Sequence, residues 1–305
     1  MRGNTGSTAS TNKILLIAVI VLAVALVGVI VYFTVVPHLQ KTSTVKTTSK
    51  PQTQQVITPT LAFEDSVKAW YGIECVYNKY GSNSTLSLIN SIYEIAFRYI
   101  YAYERTSNET YLLVYPVAEY DYLNSTYSEC SISANDTELV NSVIGTLSNI
   151  NVVATELKIP SNLLGTPLFI VYNKANNITY ILAGASPYVF YAINYSRVGN
   201  ITTFTYQGQL LGYSFKANAS QVKFINELVS SGLKFGSSKA SVVVIEFLDP
   251  VCPYCSIFQV EYGGYLEHLI NDSSIFYVVY YFPTHALLYG CSSPTIAQML
   301  GPYCG

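Results

Sequence analysis

Charge is scarce in this sequence. Its 305 residues hold 16 Lys and Arg against 18 Asp and Glu, 11% of the chain, for a net charge of −2. No basic surface can be built from that supply, so no nucleic-acid partner is expected. Methionine is nearly missing too: there are two, one of them Met1, and no His stands beside the thiols of the one closely spaced cysteine pair. That leaves little for a copper-delivery role. Apolar residues fill the space instead, 50% of the total, together with 28 Tyr. Such a surface must be kept soluble by hydroxyls, amides or glycans rather than by ions.

The acceptor pattern Asn-X-Ser/Thr points to glycans. It occurs at Asn83, Asn108, Asn124, Asn135, Asn177, Asn194, Asn200, Asn218 and Asn271. About a fifth of the residues are Ser or Thr, so roughly four of the 20 Asn would match by chance; nine do. The bland alternative is a chain simply rich in Asn, Ser and Thr.

Residues 1–13 are polar and read as a cytoplasmic N-terminus. Residues 14–36 carry no charge. At about 1.5 Å per residue they span a hydrocarbon core of about 30 Å with some tilt, and they read as a transmembrane helix. A cleaved signal peptide is the alternative, but the apolar run exceeds the usual length of roughly 7–15 residues and lacks a small-residue cleavage site. Basic residues flank both ends, so the positive-inside rule does not set the orientation. The sequons and cysteines do, placing the C-terminal part outside the cell membrane. Residues 37–60, rich in Ser and Thr, read as a linker.

Beyond the linker the pattern turns helical. Phe63, Val67 and Trp70 share a face, and Ile89, Ile92, Tyr93, Ala96, Tyr99, Ile100 and Tyr103 recur at helical spacing. Leu112–Val117 reads as a strand. Leu139–Leu147 predicts a helix capped by Asn135 or Asp136, and 151–159 is ambiguous. Strands are expected over 168–173 and 178–183 as a hairpin, with a second hairpin turning near Gln207-Gly208. A short helix is expected over 187–195, and another around Val222–Val229, stopped by Gly232. Residues 242–248 and 275–282 read as buried strands, the first followed by a helix broken at Gly263-Gly264.

The chemistry lies after that first strand. Asp249-Pro250 breaks it, and Cys252 and Cys255 follow on the first turn of a helix, with Pro253 early in that turn. Backbone N–H groups at a helix N-terminus stabilise a thiolate. Cys252 is therefore read as the exposed attacking sulfur and Cys255 as the resolving thiol. Tyr254 lies between them, where it can tune the redox potential. Six cysteines allow one such pair plus two structural bridges. A zinc site from Cys252, Cys255, Cys291 and Cys304 is the rival, disfavoured because Cys291 and Cys304 are too far apart in sequence for a zinc ribbon.

Glu246-Phe247 followed by Cys252-Pro253-Tyr254-Cys255, with Gly165-Thr166-Pro167 ahead of the strand at Leu168, resembles the thioredoxin superfamily. Within it the resemblance is to the extracytoplasmic DsbA/DsbG-like thiol-disulfide oxidoreductases. It implies an α/β, thioredoxin-like fold with a helical insertion. It also implies that Thr166–Pro167 is a cis bond beside the redox pair, that Thr166 and Pro167 with Pro253 and Tyr254 form the substrate groove, and that Glu246 relays the proton of Cys255. His285 is read as structural. In the family the cis-proline follows the CxxC; here it precedes it. The expectation is one domain whose halves are permuted: residues 61–198 supply the helical and cis-Pro half, 199–238 a connector, and 239–305 the CPYC half. Two separate units are the alternative. Cys75 and Cys130 fall in the helical half and are expected to bridge; Cys291 and Cys304 pair with each other or stay free.

The function implied is thiol-disulfide exchange on secreted or surface proteins with cysteines, together with a possible membrane redox partner. No cofactor beyond the cysteines is needed. A glycosylated surface scaffold with a fixed Cys252–Cys255 disulfide remains the alternative.

Overall fold

A computed structural model describes residues 56–304. The expected transmembrane helix, the N-terminus and most of the linker lie outside the described residues. Among the described residues no helix is long and apolar enough to cross a membrane. Val56–Gly305 forms one compact unit.

Three helices come first: α1 (Pro59–Thr106), α2 (Thr110–Thr126) and α3 (Asp136–Leu157). The hairpin β1 (Leu168–Asn173) and β2 (Ile178–Ala183), α4 (Tyr188–Arg197), and the hairpin β3 (Thr203–Tyr206) and β4 (Gln209–Lys216) follow. The chain then runs through α5 (Ala219–Ser231), β5 (Leu233–Gly236), β6 (Val242–Leu248), α6 (Pro253–Asn271) and β7 (Ile275–Tyr281), ending with α7 (Thr284–Ser292) and α8 (Pro294–Leu300).

The seven strands form one sheet in the order β3-β4-β2-β1-β6-β7-β5. β6 and β7 are parallel and joined through α6, as a parallel pair requires. The other neighbours are antiparallel. β1 and β6 are buried along their whole length, which is why both read as continuous apolar runs rather than alternating ones. One face of the sheet carries Val244, Leu248, Phe169 and Val279 against α1, α2, α4 and α6. The other carries Val243, Ile245, Phe247 and Ile170 against α3, α5 and α8.

Several expectations are corrected. Pro59 and Thr60, assigned to the linker, begin α1, whose first turn is capped by the Thr58 hydroxyl. Gly81, at φ 83°, kinks α1, so the two helical stretches read from the sequence join around one glycine. Leu112–Val117 is helix, not strand. Tyr115, Glu119, Tyr120 and Leu123 bury one face of α2 at helical spacing against α1, and this packing overrides the β-propensity of a short window. Gly263-Gly264 does not break α6, because Leu266, Leu269 and Ile270 continue its buried face beyond the glycines. Gly232 does end α5, but at φ −79° and not in a left-handed cap. Its need is space: a Cβ there would lie 2.5 Å from a Val278 methyl and 2.7 Å from the Tyr280 ring. The turn at Gln207-Gly208 falls where expected, with φ of 48° and 81°.

Candidate active site

The register of β1 on β6 builds the site. Leu168 pairs with Phe247, so the residues just before β1 face those just after β6. Thr166–Pro167 is a cis bond. The Cys252 sulfur lies 3.4 Å from the Thr166 carbonyl oxygen, which it can reach as a donor only while it keeps its proton, and this contact brings together two motifs 86 residues apart. Cys252 is the N-cap of α6, its sulfur accepting from the Cys255 N–H at 3.2 Å, and Pro253 occupies the first turn. Cys252 and Cys255 are both free and both buried. The sulfur of Cys252 was expected to be exposed; Cys252 is 0% accessible. The loop before β1 lies over it, and the start of α7 flanks it, held to that loop by a Thr166–Thr284 hydroxyl pair at 2.6 Å.

The two thiols are electrically unlike. Burial alone would raise Cys252, but hydrogen bonds from Cys255, His285 and Thr166 and the charge on His285 outweigh it and hold the thiol well below its ordinary range. Burial, then the charge on Cys252, and then that on Glu246 push Cys255 well above it. The surroundings thus favour the anion on one sulfur and the proton on the other.

Glu246, on β6, is buried and coupled to both thiols. Burial pushes its carboxyl up to about 7, opposed by the Tyr277 hydroxyl, which donates to it. His285 starts α7 at the end of β7. Parallel strands place their C-terminal ends side by side, so a residue just past β7 arrives beside the loop just past β6. Burial would lower His285, yet the Cys252 thiolate and Asp249 raise it. Its reading as merely structural, with no His near the thiols, is therefore corrected: tertiary contact supplies one that is 30 or more residues away in sequence.

Asp249, read only as a strand breaker, organises the loop. One carboxylate oxygen accepts from the Val251 N–H at 3.2 Å and the other from the His285 N–H at 2.7 Å. Tyr93 donates to the Asp249 carbonyl at 3.1 Å and Tyr115 to the Val251 carbonyl at 2.5 Å. The helical half thus clamps the redox loop by its backbone. Tyr93 was read as core; Tyr115, Tyr277 and Asp249 carried no local motif that would have shown their roles.

Tyr254 does not join this cluster. It is 59% exposed and lines a cleft of about 390 Å³ with Pro253, Ile257, His285, Leu288 and Tyr103. Cys75–Cys130 is a disulfide tying α1 to the turn after α2, and Cys291–Cys304 ties α7 to the C-terminal turn. The latter removes two of the four ligands of the rival zinc site. Of the nine sequon asparagines, Asn83, Asn108, Asn135, Asn194, Asn200, Asn218 and Asn271 are exposed. Asn124 and Asn177 are half-buried, and Asn177 accepts from the Tyr172 hydroxyl.

A family model described as thioredoxin matches residues 229–296. The region is thioredoxin-like. The matched stretch runs from the end of α5 into α8, so it contains the CPYC pair, Glu246, Asp249 and His285 but not the Thr166–Pro167 loop. No curated protein and no solved structure matches the chain. The seven-stranded mixed sheet with its flanking helices fits a thioredoxin-like fold.

Proposed function

We propose that this chain is an extracytoplasmic, membrane-anchored thiol-disulfide oxidoreductase that acts on protein cysteines through Cys252 and Cys255, with the helical and cis-Pro half of a DsbA-like domain placed ahead of its CPYC half. The observation that carries the reading is the asymmetry of the pair: an acidic sulfur at a helix N-terminus beside a cis-proline loop, and a second thiol that keeps its proton. In the exchange, the Cys252 thiolate attacks a substrate disulfide, one substrate sulfur leaves with the bonding electron pair, and a mixed disulfide forms. Cys255 then loses its proton, for which the buried Glu246 carboxyl that acts on it serves as the acid–base group, and displaces the substrate. The reverse sequence oxidises a substrate dithiol. The cleft beside Pro253 and Tyr254, lined by Ile257 and Leu288, suits an apolar stretch of substrate next to its cysteine.

The burial of Cys252 favours a second reading, an inert glycosylated scaffold. Alkylation separates them. In the enzyme the reduced protein labels at Cys252 near neutral pH much faster than at Cys255, and Cys255→Ala accumulates mixed disulfides with secreted proteins. Equal, slow labelling of both thiols and no adducts would establish the scaffold.

A further inference from the structure

Oxidation of a substrate dithiol hands the protein two electrons and two protons. The electrons break the Cys252–Cys255 bond. One proton stays on Cys255, but Cys252 is left as a thiolate and carries none. Solvent, His285, Glu246 and Asp249 can each take that second proton, since the Cys252 charge raises all three side chains; the structure holds one further carboxyl whose surroundings fit it.

Glu119, on α2, is fully buried, and neither of its carboxylate oxygens has a hydrogen-bond partner. Among the described residues Tyr281 is the one other with an unpartnered buried side-chain oxygen or nitrogen, and it too is coupled to Asp249. Glu119 lies one turn beyond Tyr115, the residue whose hydroxyl donates to the Val251 carbonyl, so it shares the helix face turned to the redox loop. The groups facing it are Asp249 and Cys252 from that loop, with Tyr115 on its own helix and Tyr289 from α7. Tyr93 from α1, Tyr281 from β7 and His285 from α7 reach the same loop. None of these places a cation against Glu119, and an unpaired charge buried there is costly. Glu246 feels the Cys252 charge and acts in turn on Cys255; Glu119 is carried by α2, in the helical half.

We propose that Glu119 is a redox-linked proton site: over the pH interval in which its carboxylate is ionised while the Cys252–Cys255 disulfide is intact, reduction draws onto it the proton that the Cys252 thiolate does not carry. The inference rests on the oxidoreductase reading. While the disulfide is intact, Cys252 is uncharged and only burial and Asp249 oppose ionisation of Glu119. Once the thiolate forms, it adds its repulsion, and burial, Asp249 and Cys252 together raise the carboxyl well above its ordinary value. Glu119 therefore binds a proton more tightly in the reduced protein. By reciprocity, a protonated Glu119 favours reduction.

The test is the equilibrium of the full chain with glutathione across pH, reading the fraction of Cys252–Cys255 reduced by mass after acid trapping. Reduction to one thiolate and one thiol without proton uptake releases one proton to solvent, so the equilibrium constant rises about tenfold per pH unit. Over the interval in which Glu119 is ionised in the oxidised protein and protonated in the reduced one, that rise is cancelled. Glu119→Gln, which cannot titrate, should lose the cancellation. Glu246, Asp249 and His285 are common to both proteins, so the ratio of the two constants isolates Glu119. The ratio is expected to change by about tenfold or more between the acid and alkaline ends of the range, tenfold corresponding to one pH unit of altered proton affinity. Glu119→Met, neutral and of similar length, serves as a second variant should the amide disturb packing. A ratio constant with pH in a folded variant overturns the proposal and leaves the oxidoreductase reading intact. Failure of the wild-type pair to exchange with glutathione at any pH overturns both.

Discussion

Replacing Glu246 by Gln should make the protein less sensitive to alkali. Glu246 is fully buried, and its carboxyl is pushed from 4.5 to about 7, by burial above all. Below the lower value both folded and unfolded chains hold the proton, and the residue has no pH effect. Between the two values the unfolded chain releases the proton and the folded chain keeps it, so stability falls as pH rises; above the upper value the loss is complete. At about 1.4 kcal/mol per pH unit, the displacement amounts to about 3 kcal/mol. Gln cannot titrate, and its carbonyl can still accept from Tyr277. Asp249, pushed to about 6, and Asp65, pushed to about 7, act in the same window, so the wild type should lose more than this in total. The difference between wild type and variant belongs to Glu246. The assay is urea unfolding of residues 56–305 in a Cys252→Ser, Cys255→Ser background, which removes redox state and the smaller contribution of the Cys252 charge, so that burial, the largest cause, is what is read. The single tryptophan, Trp70, stacks on Tyr281 at 5.1 Å and reports the transition. Between about pH 4 and about pH 8 the variant should gain about 3 kcal/mol on the wild type. Parallel stability curves would refute the placement of an uncharged Glu246 in the core.

Three further outcomes are expected. Changing Cys75 and Cys130 to Ser opens a loop of sequence separation 55 and should cost about 4 kcal/mol in the loop-entropy account, against about 3 kcal/mol for Cys291 and Cys304 at separation 13, measured by denaturant unfolding of each double variant. His285→Ala removes a hydrogen bond and a positive charge from the Cys252 thiolate; the thiol pKa should rise, and alkylation of Cys252 in mildly acidic buffer should slow by roughly tenfold for each pH unit of that rise, whereas an unchanged rate-versus-pH profile would remove His285 from the site. Protease added to intact cells should degrade the domain, and glycans should be found by mass at exposed sequons such as Asn83, Asn200 and Asn271 in preference to half-buried Asn177; full protection from protease would overturn the proposed topology.

Much of this protein was legible in its residues, wherever the signal is local. The β-branched run at 242–248, the Asn135 cap, the Gln207-Gly208 turn and the placement of Cys252 on a helix N-terminus each depend on a few adjacent side chains, and the structure has them there. The strand expected at Leu112–Val117 failed because six apolar and aromatic residues suit either period, and only the surface of α1 decides between them. The acids and bases of the site were hidden for a related reason. Glu246 was reachable through the family resemblance, but Asp249, His285, Tyr277 and Glu119 come from separate elements, and nothing in their neighbours along the chain tells them apart from ordinary polar residues. Their roles follow from sheet order: β1 beside β6 brings Thr166 to Cys252, and β7 beside β6 brings His285. Burial then does what no sequence pattern records, since the proton affinity of a carboxyl or thiol is set by the solvent it has lost and by the charges that face it across the fold.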